Sequence, residues 1–578
     1  MSKIDPITLE VVRNALVAYA DEMATVLCKT AYNMMIYEVR DYCVGIVDPD
    51  GNIIAQNTGG LPIFLSDLGV AVKDGVDTYG KDGFRPGDVV MMNYPYICGQ
   101  HLNNIVIYTP FFFDGELIAF PAVRAHWVDI GGSRIGFGSS ATTEIYEEGL
   151  QIRSIKIFNE GRPDEAMLRL IGDNIRFREA AFGDMRAQIA ACRLGERRLT
   201  EMFDRYGRDT VHECIKTVWD QSEALTRLEV EKIPDGVYEA ESFLDNDGVD
   251  LDKTVPIKVK VTVKGSDMVV DFSEVSDQVR GPINCGISGG MAAARVAFKC
   301  VTLPSLPVNE GCFYPLQVVL PPGKLLSAQP PAAIGGWSIS LPTVIDTILA
   351  ALAPGIPDKI PAAHKGDMGG YSFHGVDGNT GKRYVCMNIP GGGWGGRPFE
   401  DGENGSVSIC QGDVKNVPVE LQEIYYPLII DKHVLRQDSG GAGKYRGGLG
   451  LEITVRCLYD TFSNIRSERT KCPPWGLLGG KTGAANVAVV KHVAEEQERV
   501  VLKRTNYPLK PGDTVTFLTG GGGGFGDSLE RDVELVRQDV IRGYVSLDRA
   551  RQDYGVVIDP ETFEVDKVAT QALRKRSG

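Results

Sequence analysis

Glycine constrains this chain more than any other residue type. Its 67 glycines gather in runs at Gly286–Gly290, Gly391–Gly396, Gly440–Gly450 and Gly520–Gly526. A residue without Cβ reaches positive φ and lets two backbones approach closely. Such runs predict many tight turns, some of them lining a ligand cavity.

The 578 residues exceed what one hydrophobic core can organise, so two to four domains are expected. Sixty-one basic against 76 acidic residues give a net charge of −15. That balance leaves no basic stripe for nucleic acid and suits an anionic membrane surface poorly. The first residues carry no basic-then-apolar leader, and the longest apolar stretch, Val106–Phe113, is broken by Pro110. The twelve cysteines are scattered without a C-x-x-C pair. Reduced thiols in a cytoplasmic protein are expected.

Hydrophobic periodicity predicts an α+β multidomain chain. Residues 1–230 form an N-terminal helix-and-sheet domain. Asp5 caps its first helix, Pro6 suits the first turn, and Leu9, Val12, Leu16, Ala20, Met23 and Leu27 recur at helical spacing to about Tyr32. Hairpins follow at Cys43–Ala55 and Val106–Arg124, turned at Asp-Gly steps. One long helix spans Leu168–Tyr206, and another Thr210–Val230. Residues 231–416 form a central mixed domain, a β-meander over Gly236–Val275 with helices at Met291–Cys300 and Ser340–Leu352. Residues 417–578 form a glycine-rich β domain closing in helices Asp532–Arg542 and Ser546–Asp553.

Only seven histidines occur, and two of them share a pattern: His101-Leu-Asn-Asn104 and His126-Trp-Val-Asp129. Both fall at strand ends, with a carboxylate upstream in Glu38-Val-Arg-Asp41. Imidazole with carboxylate or amide oxygen suits Zn²⁺, Mn²⁺ or Fe²⁺, and two hydrogen-bonded structural histidines would look the same. Gly480-Lys481-Thr482 lacks the glycine a phosphate loop needs five positions earlier, where Trp475 stands. No G-x-S-x-G elbow occurs, and Cys98 reads as a structural thiol rather than a nucleophile.

Laid in order, longer motifs add specificity: Glu38-Val-Arg-Asp-Tyr-Cys43, Arg85-Pro-Gly-Asp88, Arg124-Ala-His-Trp-Val-Asp-Ile-Gly-Gly132 and Glu144-Ile-Tyr-Glu-Glu-Gly149. Gly183-Asp-Met-Arg-Ala-Gln188, Asp438-Ser-Gly-Gly-Ala-Gly443, Ser467-Glu-Arg469, Pro474-Trp-Gly476 and Gly521-Gly-Gly-Gly-Phe-Gly-Asp527 follow. With these the chain resembles the hydantoinase B family over nearly its whole length. That family includes subunits of N-methylhydantoinases, oxoprolinases, caprolactamases, and acetone and acetophenone carboxylases. The resemblance implies a hetero-oligomer in which an actin-like, hydantoinase A-type partner binds ATP and Mg²⁺ and phosphorylates the substrate oxygen. The B-type chain would host the later step, hydrolysis in one branch and carboxylation in the other.

The resemblance also implies a metal set of Asp41, His101, Asn104 and His126, with Zn²⁺ or Mn²⁺ as the candidate ion. Here Asn104 and Asn93 replace acids usual in the family, and Trp127 replaces a second histidine. Two lost charges weaken a cation site. Hydrolysis wants an activated water, whereas attack of an enolate on CO₂ wants water excluded. Trp127, Phe111–Phe113, Tyr94 and Tyr96 can wall an aromatic pocket. These features favour a subunit of a biotin-independent carboxylase that joins bicarbonate to an acetophenone-like ketone through a phosphorylated enol and carboxyphosphate. His101 and His126 would position or protonate intermediates, Arg124 would hold phosphate or carboxylate, and Asp129 would orient a histidine. The alternatives are a subunit hydrolysing a hydantoin, a lactam or 5-oxoproline, and a scaffold without chemistry.

Overall fold

The computed structural model describes residues 4–136, 139–368, 370–412 and 414–577. The chain folds into two compact units. One comprises Met1–Tyr238, Lys258–Trp337 and Cys410–Val417; the other comprises Glu239–Ile257, Ser338–Ile409 and Pro418–Gly578. Residues 231–416, expected as a central domain, contribute to both units.

The N-terminal unit is organised by one antiparallel sheet. Its strands are β1 (Tyr42–Val47), β2 (Ile53–Gln56), β3 (Val89–Met92), β4 (Asn104–Tyr108), β5 (Phe111–Phe113), β6 (Glu116–His126), β7 (Ile155–Asn159) and β8 (Arg162–Pro163), in the order β2-β1-β6-β4-β3-β7-β8 with β5 paired to β6. Alternation divides its two faces. Tyr42 and Val44, Val123 and Ala125, Ile105 and Ile107, and Val89 and Met91 are buried in one apolar cluster with helix residues Met23, Ala24, Leu27, Met185, Ala191 and Cys192. Two helices, Pro6–Thr30 and Arg178–Tyr206, therefore cover that face. Asp5 caps the first of them, its side chain accepting from the Thr8 N–H at 2.9 Å.

The helix expected across 168–206 is instead two, Glu165–Asp173 and Arg178–Tyr206. The chain breaks where the Arg176 N–H donates to the Asp129 carboxylate at 2.8 Å, a tertiary bond that periodicity does not reveal. The meander strands form at Gly236–Leu244, Val255–Lys264 and Asp267–Asp271.

The other unit contains two antiparallel sheets. One pairs Arg383–Asn388, Tyr371–Val376, Thr461–Arg466 and Lys503–Leu509; the other pairs Leu428–Leu435, Leu451–Cys457, Thr514–Leu518, Val487–Lys491 and Arg499–Val500. A shared core holds Phe373, Ile453, Val455 and Ile465, with Tyr371 stacked on Phe517 at 4.2 Å. The closing helices are Val533–Ile541 and Leu547–Tyr554, capped by Asp532 and Ser546.

The glycine runs differ from expectation. Among the described residues of Gly391–Gly396, Gly440–Gly450 and Gly520–Gly526, only Gly526 takes positive φ. The remainder lies in none of the sheets and is interrupted by bends at 440 and 443–444 and by isolated bridges at Gly392, Tyr445 and Phe525. Segment 520–525 runs through the centre of a bundle of such chains. Gly393 donates to the Gly520 carbonyl, Gly441 to Gly522, Gly396 to Gly523, Gly522 to Gly448, Gly523 to Ala363 and Gly524 to Lys481, all at 2.8–2.9 Å. A Cβ on Gly522 would sit 1.8 Å from the Trp394 carbonyl oxygen, and one on Gly393 2.0 Å from that of Gly448. The runs serve close backbone approach, as at a collagen axis, rather than turning. Gly480 and Lys481 belong to this bundle, and Lys481 pairs with Asp553 at 2.8 Å, so the apparent phosphate-loop ending is structural.

Candidate functional site

The second face of the N-terminal sheet carries polar groups at the ends of three adjacent strands. Register sets Asn104 opposite His126 and Tyr42 opposite Ala125, which places Asp41 beside His126, whose N–H donates to the Asp41 carbonyl at 3.2 Å. Residues opposite one another share a face, so Asp41, His126 and Asn104 form a row across the sheet. The turn after the short Pro95–Cys98 helix adds His101, its carbonyl accepting from the Asn104 N–H at 3.2 Å. The His101 and His126 rings lie 4.9 Å apart between centroids, and the Trp337 ring meets His101 edge-on at 5.7 Å. The four residues that the sequence grouped are thus gathered by strand register.

All four are at least 95% buried. Burial pushes the Asp41 carboxyl up to about 7, against the opposing pull of Arg124. Both amide atoms of Asn104, one Asp41 oxygen and the Trp337 Nε1 are buried with no hydrogen-bond partner among the described residues. Buried polar atoms are seldom left so, and a cluster of them marks a place where a polar ligand or water belongs.

Arg124, two residues before His126, faces the same way. It is fully buried, pairs with Asp67 at 2.6 Å, donates to the Cys98 carbonyl at 3.3 Å and stacks over Phe64 at 4.4 Å. Ser288 donates to the other Asp67 oxygen at 2.6 Å. Of the guanidinium expected to hold a substrate anion, Nη1 is committed to the buried ion pair, while Nε and Nη2 have no hydrogen-bond partner among the described residues. Asp129 also differs from expectation. Its carboxylate accepts from the Gly131 N–H and from the Arg176 N–H and Nη1, which ties two loops together rather than orienting a histidine.

The aromatic wall is not where the sequence put it. Trp127 is buried in the helix-covered core and donates to Gln188 at 3.0 Å, while Gln188 donates to the Ile105 and Val123 carbonyls. Phe111 and Phe113 pack on Phe203 of the covering helix. Tyr96 donates to the Ala332 carbonyl, and Tyr94 carries the Arg153 guanidinium at 5.4 Å. Asn93 is a clamp: its amide donates to the Leu102 and Leu150 carbonyls and its oxygen accepts from the Ile152 N–H. A carboxylate there would face two carbonyl oxygens, so asparagine at 93 reflects local bonding rather than a lost metal ligand. Burial raises the Cys98 thiol far above its ordinary range, which keeps it protonated.

Asp67, Ser288 and Trp337 were missed by sequence reasoning. Asp67 opens a helix, where an acid ordinarily answers the dipole. The run at Gly286–Gly290 did hold a clue. A Cβ on Gly286 would lie 1.9 Å from the Pro95 carbonyl oxygen, so glycine there lets Ser288 close on the loop carrying His101.

Among the described residues no three His, Cys, Asp or Glu side chains gather as ligands of one ion. The two imidazoles are neighbours, and Asn104 supplies a neutral amide where a carboxylate would complete the charge. Proton transfer between imidazoles and hydrogen bonding through Asn104 are what this row can do.

Comparison with known proteins agrees with the geometry. The family model described as Hydantoinase B/oxoprolinase matches residues 5–528, and the chain belongs to that family. A protein from Pseudomonas sp. strain NS671, provisionally named as the B-type component of a D-/L-hydantoinase, is 33% identical over 100% of this chain and 99% of its own length. The crystal structure of an ATP-dependent caprolactamase from Pseudomonas jessenii superposes with a TM-score of 0.92 at 30% identity, covering 99% of this chain and 100% of that one. A nucleotide-free acetone carboxylase has a TM-score of 0.91 at 19% identity, covering 99% of this chain and 83% of that one, a likeness of fold. No helix among the described residues is long and apolar enough to cross a membrane.

Proposed function

We propose that this hydantoinase B chain is the subunit of an ATP-dependent cyclic-amide hydrolase that opens the ring of a hydantoin, lactam or 5-oxoproline. An A-type partner would bind ATP and Mg²⁺ and phosphorylate the amide oxygen. The observation that carries the reading is the buried row of His126 and Asn104, with His101 beside it and unpartnered amide atoms on Asn104. A primary amide on the protein can donate to the oxygen and accept from the N–H of a substrate amide. One imidazole takes the proton of the water adding to the activated carbon, and its neighbour protonates the ring nitrogen as the C–N bond breaks. The acyl phosphate so formed is hydrolysed by a second water. No step is assigned to a metal ion.

The relatives at 30% identity or more whose names state an activity, a caprolactamase and a hydantoinase component, support the amide reading. The packing of Trp127, Phe111 and Phe113 into the helix-covered core removes much of the aromatic wall that favoured an acetophenone-like ketone. Ketone carboxylation with bicarbonate remains the second reading, favoured by the uncharged Asn104 and by the Trp337 indole against His101. The test is the chain purified with its partner and given ATP and Mg²⁺. Ring opening and phosphate release on adding a lactam, hydantoin or 5-oxoproline support hydrolysis. Acid-stable label from bicarbonate with an aryl ketone supports carboxylation. Turnover unchanged in His101→Ala and His126→Ala would make the chain a scaffold.

A further inference from the structure

The unit built from Glu239–Ile257, Ser338–Ile409 and Pro418–Gly578 contains a second group of reactive side chains that the amide chemistry does not use. His364 follows Ala362-Ala363, a segment hydrogen-bonded into the glycine bundle through the Ala362 N–H to Gly396 and the Ala363 N–H to Trp475. Its Nδ1 lies 2.8 Å from each oxygen of Asp346, and its backbone N–H reaches the same carboxylate at 3.2 Å. A carboxylate only accepts, so Nδ1 carries the proton, and in the neutral tautomer Nε2 presents a lone pair. His364 is 2% exposed, and Nε2 has no hydrogen-bond partner among the described residues.

Arg469 shares the carboxylate. Its Nη2 donates to Asp346 at 2.9 Å and its Nε to Thr343 at 3.2 Å. One side of the guanidinium lies on the Trp475 ring at 4.5 Å; the other lies against Gly366, where a Cβ would fall 2.1 Å from Nε. The side chain is 1% exposed, yet Nη1 has no acceptor among the described residues. A buried charged donor is seldom left without an acceptor, and an isolated ion pair would not need a histidine on the same carboxylate. Lys365, next in sequence, is engaged otherwise, donating to the Pro390 carbonyl at 2.6 Å and lying 3.4 Å from Asp367.

We propose that Asp346, His364 and Arg469 form a second binding site, for an oxyanion that carries one O–H: hydrogen phosphate, or a phosphate monoester in its singly protonated form. Arg469 Nη1 donates to an anionic oxygen, and the P–OH donates to His364 Nε2. Asp346 holds both groups in place and, being shared between them, keeps the site from admitting a bare dianion by charge alone. Sulfate, which has no O–H at neutral pH, lacks the second bond and is discriminated against. The site stands independently of the amide-hydrolase reading, since its test requires binding and no turnover.

The experiment is thermal unfolding of the full chain at pH 7 with inorganic phosphate or sulfate at matched ionic strength, backed by calorimetric titration. Phosphate is expected to raise Tm saturably and to bind at least tenfold more tightly than sulfate. His364→Asn keeps a donor toward Asp346 and removes Nε2, and is expected to abolish the preference. Arg469→Lys is expected to weaken phosphate about tenfold. Competition by methyl phosphate at about pH 6, where a monoester retains much of its P–OH, points to a phosphorylated metabolite, and its failure to compete there points to free phosphate; both support the site. Equal binding of sulfate and phosphate by the unaltered chain, or no binding of either, overturns it whether or not the variants fold.

Discussion

Alanine at Gly522 tests the glycine bundle most severely. Gly522 donates to the Gly448 carbonyl and accepts from the Gly441 N–H, at 2.9 and 2.8 Å. A Cβ there meets the Trp394 carbonyl oxygen at 1.8 Å and its carbon at 2.1 Å, so the two chains must separate by more than about 1 Å. Overpacking of that kind costs about 1–3 kcal/mol, and each buried backbone bond lost adds about 1 kcal/mol. Together they give about 3–5 kcal/mol, a large share of the 5–15 kcal/mol typical of a folded domain. Gly236→Ala is the control, because its nearest neighbour is 3.6 Å away and the added methyl meets no obstruction. Urea unfolding followed by tryptophan fluorescence, which reports Trp394 and Trp475 inside the bundle, measures both. A loss below 1 kcal/mol at Gly522, or equal losses at the two positions, would refute the close-approach account.

Three further outcomes follow from named contacts. Asp67→Asn leaves the Arg124 charge buried and unpaired, and should destabilise the N-terminal unit by about 3–5 kcal/mol in denaturant melts; Asp67→Asn with Arg124→Met should recover most of that loss. Glu148 accepts from the Ile334 and Gly335 N–H groups, and burial raises its carboxyl from 4.5 to about 7. Its proton is held more tightly in the folded state, so this contribution is full below about pH 4.5 and is lost as pH rises through about 7. The Tm of the unaltered chain should therefore fall relative to Glu148→Gln between pH 5 and 8, and a rising difference would contradict the burial argument. Asn104→Asp restores a carboxylate opposite His126, and should raise Zn²⁺ or Mn²⁺ affinity at least tenfold by titration against a chelating dye; unchanged affinity would show that the row is not shaped for a cation.

Much of the fold was legible because it depends on local rules. The cap at Asp5, the hairpins, the meander and the caps at Asp532 and Ser546 follow from periodicity and turn chemistry read over a few residues. Register did the same for the site, since strands ending at His126 and starting near Asn104 and Asp41 bring those residues together. What was not legible depends on distant partners. The break at 174–177 exists because Arg176 reaches Asp129, and Arg124 Nη1 is engaged because Asp67, itself bonded by Ser288, arrives from elsewhere in the chain. The glycine runs were singled out for both turning and close approach, and the structure uses them for close approach, because composition does not distinguish a turn from chains packed against one another. Aromatic side chains were misplaced for a related reason. Trp127 follows a strand whose alternation ends at His126, and only Gln188 on a covering helix fixes the face it takes.

The central claim is that the row of His126 and Asn104, with His101 beside it, opens a cyclic amide once a partner has activated it. The most direct measurement is ring-opened product formed per ATP by the purified complex, with His101→Ala and His126→Ala alongside. The account predicts lactam- or hydantoin-dependent product coupled to ATP hydrolysis, falling at least 100-fold in either variant while the complex still assembles. Incorporation of labelled bicarbonate into a ketone, with no ring opening from any cyclic amide, would contradict it.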